Sequence, residues 1–112
     1  MEWEELGGGV SRKFLGYDNQ IMMVKVKFEK GALGSPHQHF HTQATYCVSG
    51  KFEFDIDGEK KIVEAGDGVY IEPNLLHSAV CLEEGMLIDT FSPVREDFLS
   101  GGEVSYFGDK QS

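Results

Sequence analysis

Four side chains of this chain, His37, His39, Gln43 and His77, are of types and spacing that can meet at one metal ion. His37 and His39 stand two apart, so on an extended strand both imidazoles leave the same face. Gln43 lies an even number of residues further on and joins that face once the chain turns. His77 arrives from a second strand-like segment, just after Pro73. Three imidazoles and an amide oxygen suit a single Zn, Ni, Mn or Fe(II) ion, and residue type does not choose among these metals. All four donors are neutral, so a bound divalent ion keeps its full charge. That favours Lewis-acid work on a carboxylate-bearing substrate over stabilising oxidised iron. Four ligands of an octahedron leave two positions for substrate or water. His41 has the same parity, but an extended chain from His37 to His41 spans roughly 13 Å, too far for both to bind one ion without a sharp bend. It is expected as a pocket wall or as a support for a ligand.

A second group follows Leu87, in the run Asp89-Thr-Phe91-Ser-Pro93-Val-Arg95-Glu-Asp97. Asp89 and Phe91 share strand parity, and Pro93 ends the strand so that Arg95 can fold back over the mouth. A carboxyl that trades a proton, a ring that stacks on a sugar and a guanidinium that grips a carboxylate suit a sugar acid. By residue type alone, a surface acid, a core ring and a solvated arginine account for them equally well. Cys47 and Cys81 sit four residues after Gln43 and His77. They form no CxxC pair, and buried small hydrophobes are the expected role, ahead of a thiolate ligand or a disulfide.

The positioning elements are short strands. Val24, Val26 and Phe28 alternate with Lys25, Lys27 and Glu29, and Phe52, Phe54 and Ile56 alternate with Lys51, Glu53 and Asp55. Asp57-Gly58 favours a type I′ hairpin turn. Gly31/Gly34, Gly50, Gly66/Gly68, Pro73-Asn74, Glu84-Gly85 and Ser92-Pro93 punctuate the rest, giving about eight strands. No segment holds a 3.6-residue period, and only Arg95–Leu99 has room for a helical turn. An all-β sandwich or barrel follows. With 112 residues, 40% apolar and 26% charged, one domain covering 1–112 is expected, its core over about 20–99 and its termini peripheral. The net charge of −9 excludes a nucleic-acid or anionic-membrane partner on electrostatic grounds. There are only two arginines, Arg12 and Arg95, so an anionic ligand must be drawn in locally. The acidic start is no secretory signal and no apolar run could span a bilayer, so a soluble, cytoplasmic protein is expected. The small fold with polar, Gly-rich ends makes a homodimer the expected assembly, and the Gly101-Gly102 tail is expected to fray or lie along a partner.

Gly31, five residues, His37-x-His39, three residues, Gln43, six residues, Gly50 resembles the first cupin motif, with Gln43 where most members carry Glu. Gly66-Asp-Gly-Val-Tyr-Ile-Glu-Pro73-Asn-Leu-Leu-His77 resembles the second, with Asn74 in place of the usual Gly and Cys81 in place of a frequent Asn. Asn tolerates positive φ well enough to serve in that turn. The resemblance implies a single-domain jelly-roll β-barrel. Together with Asp-x-Phe-Ser-Pro-x-Arg-Glu-Asp-Phe, it extends over about residues 20–99 to the small cupins that linearise unsaturated monouronates in pectin and alginate breakdown. It implies metal ligation by His37, His39, Gln43 and His77, and substrate roles for Asp89, Phe91 and Arg95. The expected activity is a metal-dependent, non-redox opening of a 4,5-unsaturated uronate to a linear keto-uronate. An iron or copper dioxygenase and a non-catalytic metal- or sugar-binding module are the competing readings, since fold alone does not set function.

Overall fold

The computed structural model describes residues 2–99; the Gly101-Gly102 tail lies outside them. Eight strands and one helical turn form there: β1 (Glu4–Gly7), β2 (Val10–Tyr17), β3 (Met22–Phe28), β4 (Leu33–His37), β5 (Thr42–Ile56), β6 (Glu59–Glu64), β7 (Gly68–Ile71), β8 (His77–Ser92) and α1 (Glu96–Leu99). All strand pairings are antiparallel, in the order β1-β2-β3-β8-β5-β6, with β4 on β8 and β7 on β5. The all-β class is as expected. The hydrogen-bonded path does not close into a barrel, because β4 and β7 attach to β8 and β5 and do not link β6 back to β1. Residues 4–17, expected as periphery, supply β1 and β2 at one edge of this sheet.

Two long strands replace four expected short ones. Gly50 and Glu84-Gly85, read from sequence as breaks, lie inside β5 and β8. Inward positions on β5 are Gln43, Thr45 and Cys47 before Gly50, and Phe52 and Phe54 after it. The parity changes by one residue there, as a bulge requires, and the pairing with β8 shifts register between Cys47 and Phe52. Gly50 has φ 83, and a Cβ on it would sit 2.6 Å from the carbonyl oxygens of Glu83 and Glu84. Only glycine fits. Asp57 and Gly58, at φ 53 and 89, form the left-handed pair that a type I′ turn needs.

Antiparallel partners share a face, so the register defines what β3, β8, β5 and β7 present inward. One inner row reads Met22, Phe91, Gln43, Ile71, and the next reads Val24, Asp89, Thr45, Val69. The main core cluster includes Phe28, Cys47, Phe52, Phe54, Val63, Ile71, Cys81 and Leu87, and a smaller one comprises Met22, Val24, Phe91 and Val94. Both cysteines are free and buried, as expected of small hydrophobes, and burial pushes both thiols up.

Candidate metal centre

The buried polar side chains among the described residues are His41, Gln43, Thr45, His77 and Arg95. Polar groups are not buried together without a partner or a purpose. His37 ends β4, His77 opens β8, and the two are cross-strand partners. His39 lies in the connection to β5, not on an extended strand as its spacing with His37 suggests, because β4 stops at His37. That connection is held by the Pro73-Asn74 turn: Asn74, at φ 68, donates its backbone N–H to the His39 carbonyl at 2.7 Å. The result brings one nitrogen of each of His37, His39 and His77 within 4.8 Å of the others, a group that could hold a metal ion.

Hydrogen bonding decides which nitrogens are available. A carbonyl oxygen only accepts, so each Nδ1 must carry the proton where it meets one. His37 Nδ1–H donates to Ser35 O at 2.8 Å, His77 Nδ1–H to Leu75 O at 2.9 Å and His39 Nδ1–H to His41 O at 3.2 Å. Every Nε2 is then a bare lone pair. His77 Nε2 is buried with no hydrogen-bond partner. His39 Nε2 faces Gln43 Oε1 at 3.0 Å. With the proton on Nδ1, His39 Nε2 and Gln43 Oε1 are both acceptors, a pair that a divalent cation would satisfy. Burial keeps His37, His39 and His77 below their ordinary pKa, with His39 pushed down to about 4 and the nearby Arg95 charge adding to the effect on all three. Neutral imidazoles are what a metal needs. The donor set fits a divalent ion.

Gln43 leads on to the rest of the site. Its Nε2 donates to Thr45 Oγ1 at 3.0 Å, and the Thr45 hydroxyl donates to Asp89 Oδ1 at 2.7 Å. Burial raises the Asp89 carboxyl to about 6, against the opposing pull of Thr45 and Arg95. Phe91 meets the His39 ring edge-on at 5.7 Å. Arg95 does fold back, with its guanidinium 5.0 Å from the Phe91 ring and 4.2 Å from Phe98. Its fork is not open to solvent as the sequence suggests: Nε and Nη2 donate to Asp97 at 3.0 and 2.8 Å, and the side chain is buried. Those hydrogen bonds outweigh burial and hold Asp97 below the usual carboxylate range. His41 is buried beside the cluster, its ring 5.3 Å from that of His39 and its Nε2–H donating to Val94 O at 3.2 Å.

All seven residues singled out from sequence therefore lie in one connected cluster. Sequence reading missed Thr45, whose only signal is the two-residue period it shares with Gln43 and Cys47. It missed Asp97 and Phe98 as the anchors of Arg95. Arg12, named from sequence only as the second arginine, has its guanidinium 4.4 Å from the Phe98 ring.

Comparison with known proteins identifies the family. The Cupin_2 family model, described as a cupin domain, matches residues 24–90. The chain is 52% identical over 99 residues to the pectin degradation protein KdgF of Dickeya dadantii (strain 3937), covering 87% of this chain and 90% of that one. Among solved structures, an RmlC-like cupin from Shewanella frigidimarina NCIMB 400 superposes with a TM-score of 0.85 at 48% identity, covering 87% of both chains. KdgF from Halomonas sp. superposes with a TM-score of 0.84 at 40% identity, covering 88% of this chain and 91% of that one. With both histidine motifs inside the matched span and the fold shared along most of its length, the chain belongs to the cupin family.

Proposed function

We propose that this protein is a metal-dependent, non-redox enzyme that converts 4,5-unsaturated monouronates from pectin or alginate breakdown into linear keto-uronates. The observation that carries this reading is the continuity of the inner-face cluster. An uncharged ligand set, a carboxyl that changes protonation near neutrality and an arginine-backed aromatic ring adjoin one another. The pectin degradation proteins it resembles support the same substrate class.

His37, His39, Gln43 and His77 hold one divalent ion, of the Ni, Zn, Mn or Fe class. Bound there, it supplies an electrophile of undiminished charge to the oxygens of a sugar acid. Asp89 carries the proton. On ring opening the hemiacetal hydroxyl gives up a proton, the bond between C1 and the ring oxygen breaks to leave an aldehyde and an enolate, and the enolate takes a proton at C4 as it becomes the ketone. A carboxyl held near pH 6 can accept and return that proton at neutral pH. Phe91 packs against the sugar. Arg95, with two donors on Asp97, attracts the carboxylate through its charge and the rest of its guanidinium edge. The enzyme is a single-domain homodimer, joined through the outer sheet face where Met23, Tyr46, Val48 and Tyr70 are exposed.

Purified protein should contain about one divalent ion per chain, and His39→Ala or His77→Ala should lose it. Loaded with Zn or Ni under nitrogen, the wild type should open unsaturated galacturonate, followed by loss of the absorbance of the conjugated double bond. Equal turnover after complete chelation would refute metal dependence, and a strict need for dioxygen would refute the non-redox reaction.

A further inference from the structure

An amide nitrogen donates and never accepts, so the 3.0 Å contact from Gln43 Nε2 makes Thr45 Oγ1 the acceptor. The single hydroxyl proton of Thr45 is then left for Asp89 Oδ1, 2.7 Å away. The chain of hydrogen bonds from Gln43 to Asp89 thus has one direction. It is built into the sheet, because Thr45 and Asp89 are cross-strand partners. Thr45 is only 3% exposed, so solvent hardly competes for its hydroxyl. In the same inner row stand Val24 and Val69. A buried strand position between such neighbours is satisfied by valine, which has the shape of threonine without a polar group to bury. The hydroxyl is there for its two hydrogen bonds.

We propose that Thr45 is a positioning residue for both halves of the site. It holds the Gln43 amide nitrogen, which turns the carbonyl oxygen toward His39 Nε2 and the metal position. It also occupies Oδ1 of Asp89, which leaves Oδ2 as the oxygen that exchanges a proton with substrate. The inference rests on the metal and proton-transfer roles proposed above and specifies what aligns them. Outer groups that orient metal ligands are typically worth 10- to 100-fold in affinity or activity.

The test compares wild type, Thr45→Val, Thr45→Ser, Gln43→Ala and the double variant Gln43→Ala/Thr45→Val. Zn²⁺ affinity is read by competition with a chromogenic chelator. Thr45→Val should bind Zn²⁺ roughly 10- to 100-fold more weakly than wild type, and Thr45→Ser, which keeps the hydroxyl, within about threefold. The double variant should bind no more weakly than Gln43→Ala, since Thr45 acts on the metal only through Gln43. At saturating Zn²⁺, Thr45→Val should lose at least about tenfold in kcat with KM within about threefold, because Asp89 and not substrate contact is disturbed. Undiminished Zn²⁺ affinity in Thr45→Val, or penalties that add fully in the double variant, would overturn the proposal while leaving the metal reading intact. A wild type that binds no Zn²⁺ would overturn both. If Thr45→Val does not fold, Thr45→Ala against Thr45→Ser makes the same comparison.

Discussion

At the scale of single residues, the site is governed by which groups are charged and which are not. Asp89 illustrates the cost. Its carboxyl rises from 3.8 to about 6 on folding because burial disfavours the anion. Between those values the folded chain keeps a proton that the unfolded chain has released, so stability is lost as pH rises through that window. The difference amounts to roughly 3 kcal/mol by the usual conversion, an upper figure for a side chain that is not fully enclosed. Asp89→Asn should therefore melt several degrees higher than wild type at pH 8 and about the same at pH 3.5, by calorimetry. Its kcat should fall roughly 100- to 10,000-fold with metal content unchanged. A fall of less than about threefold would make Asp89 structural. Gln43 is a second case. Gln43→Glu adds an anionic ligand, so divalent metal should bind more tightly by chelator competition, while KM for the anionic sugar acid should rise. Unchanged KM and kcat would show that the charge of the ligand set is irrelevant.

At the scale of elements, two devices position these residues. The first is the crossing of β5 and β8, where Gly50 lies against the backbone of Glu83, Glu84 and Gly85. The bulge there changes the inward parity of β5, which lets one strand serve the core with Phe52 and Phe54 and the site with Gln43 and Thr45. Gly50→Ala should lose more stability in urea than Gly58→Ala, which has φ 89 but nothing within 4 Å of its added Cβ. The Gly58 variant should lose only the left-handed backbone penalty, about 1–2 kcal/mol. Equal losses would mean that the crossing relaxes freely. The second device is α1, whose Phe98 ring is flanked by both Arg12 and Arg95. Arg95→Lys keeps the charge and loses the planar fork, and Arg95→Ala loses both. Each should raise KM for the sugar acid, alanine by roughly 2–3 kcal/mol in total. A neutral, carboxylate-free analogue should be turned over poorly and equally by all three proteins. If Arg95→Ala treats acid and analogue alike, the carboxylate contact is refuted.

At the scale of the whole molecule, the two sheet faces divide the work. The inner rows carry the candidate site residues Gln43, Asp89 and Phe91, and the outer face of the same strands exposes Met23, Tyr46, Val48 and Tyr70. These exposed apolar side chains are the surface proposed to join the two copies. Sedimentation should give twice the chain mass, and Tyr46→Glu should shift the protein to monomer with metal content retained. A wild-type monomer at high micromolar concentration would refute the homodimer.

The histidine motifs, the strand alternation on β3 and the Asp57-Gly58 turn were legible in the sequence, because each depends on residues close together along the chain. His37, His39, Gln43, His77, Asp89, Phe91 and Arg95 could be named for the same reason, with the resemblance adding weight to the last three. Tertiary structure alone decided the rest. Whether Gly50 and Gly85 break strands or cross inside them depends on a backbone distant in sequence. The tautomers of His37, His39 and His77 follow from carbonyls that nearby turns supply, and that of His41 from Val94, 53 residues away. Thr45 reads as an ordinary strand residue until the register of β5 and β8 places it opposite Asp89. The guanidinium of Arg95, apparently free in the sequence, finds Asp97 only when the chain turns after β8. Sequence determines which chemistry the side chains can perform. Which groups face one another, and which oxygen or nitrogen is left bare, follows from strand register, because a two-residue period fixes a face but not a partner.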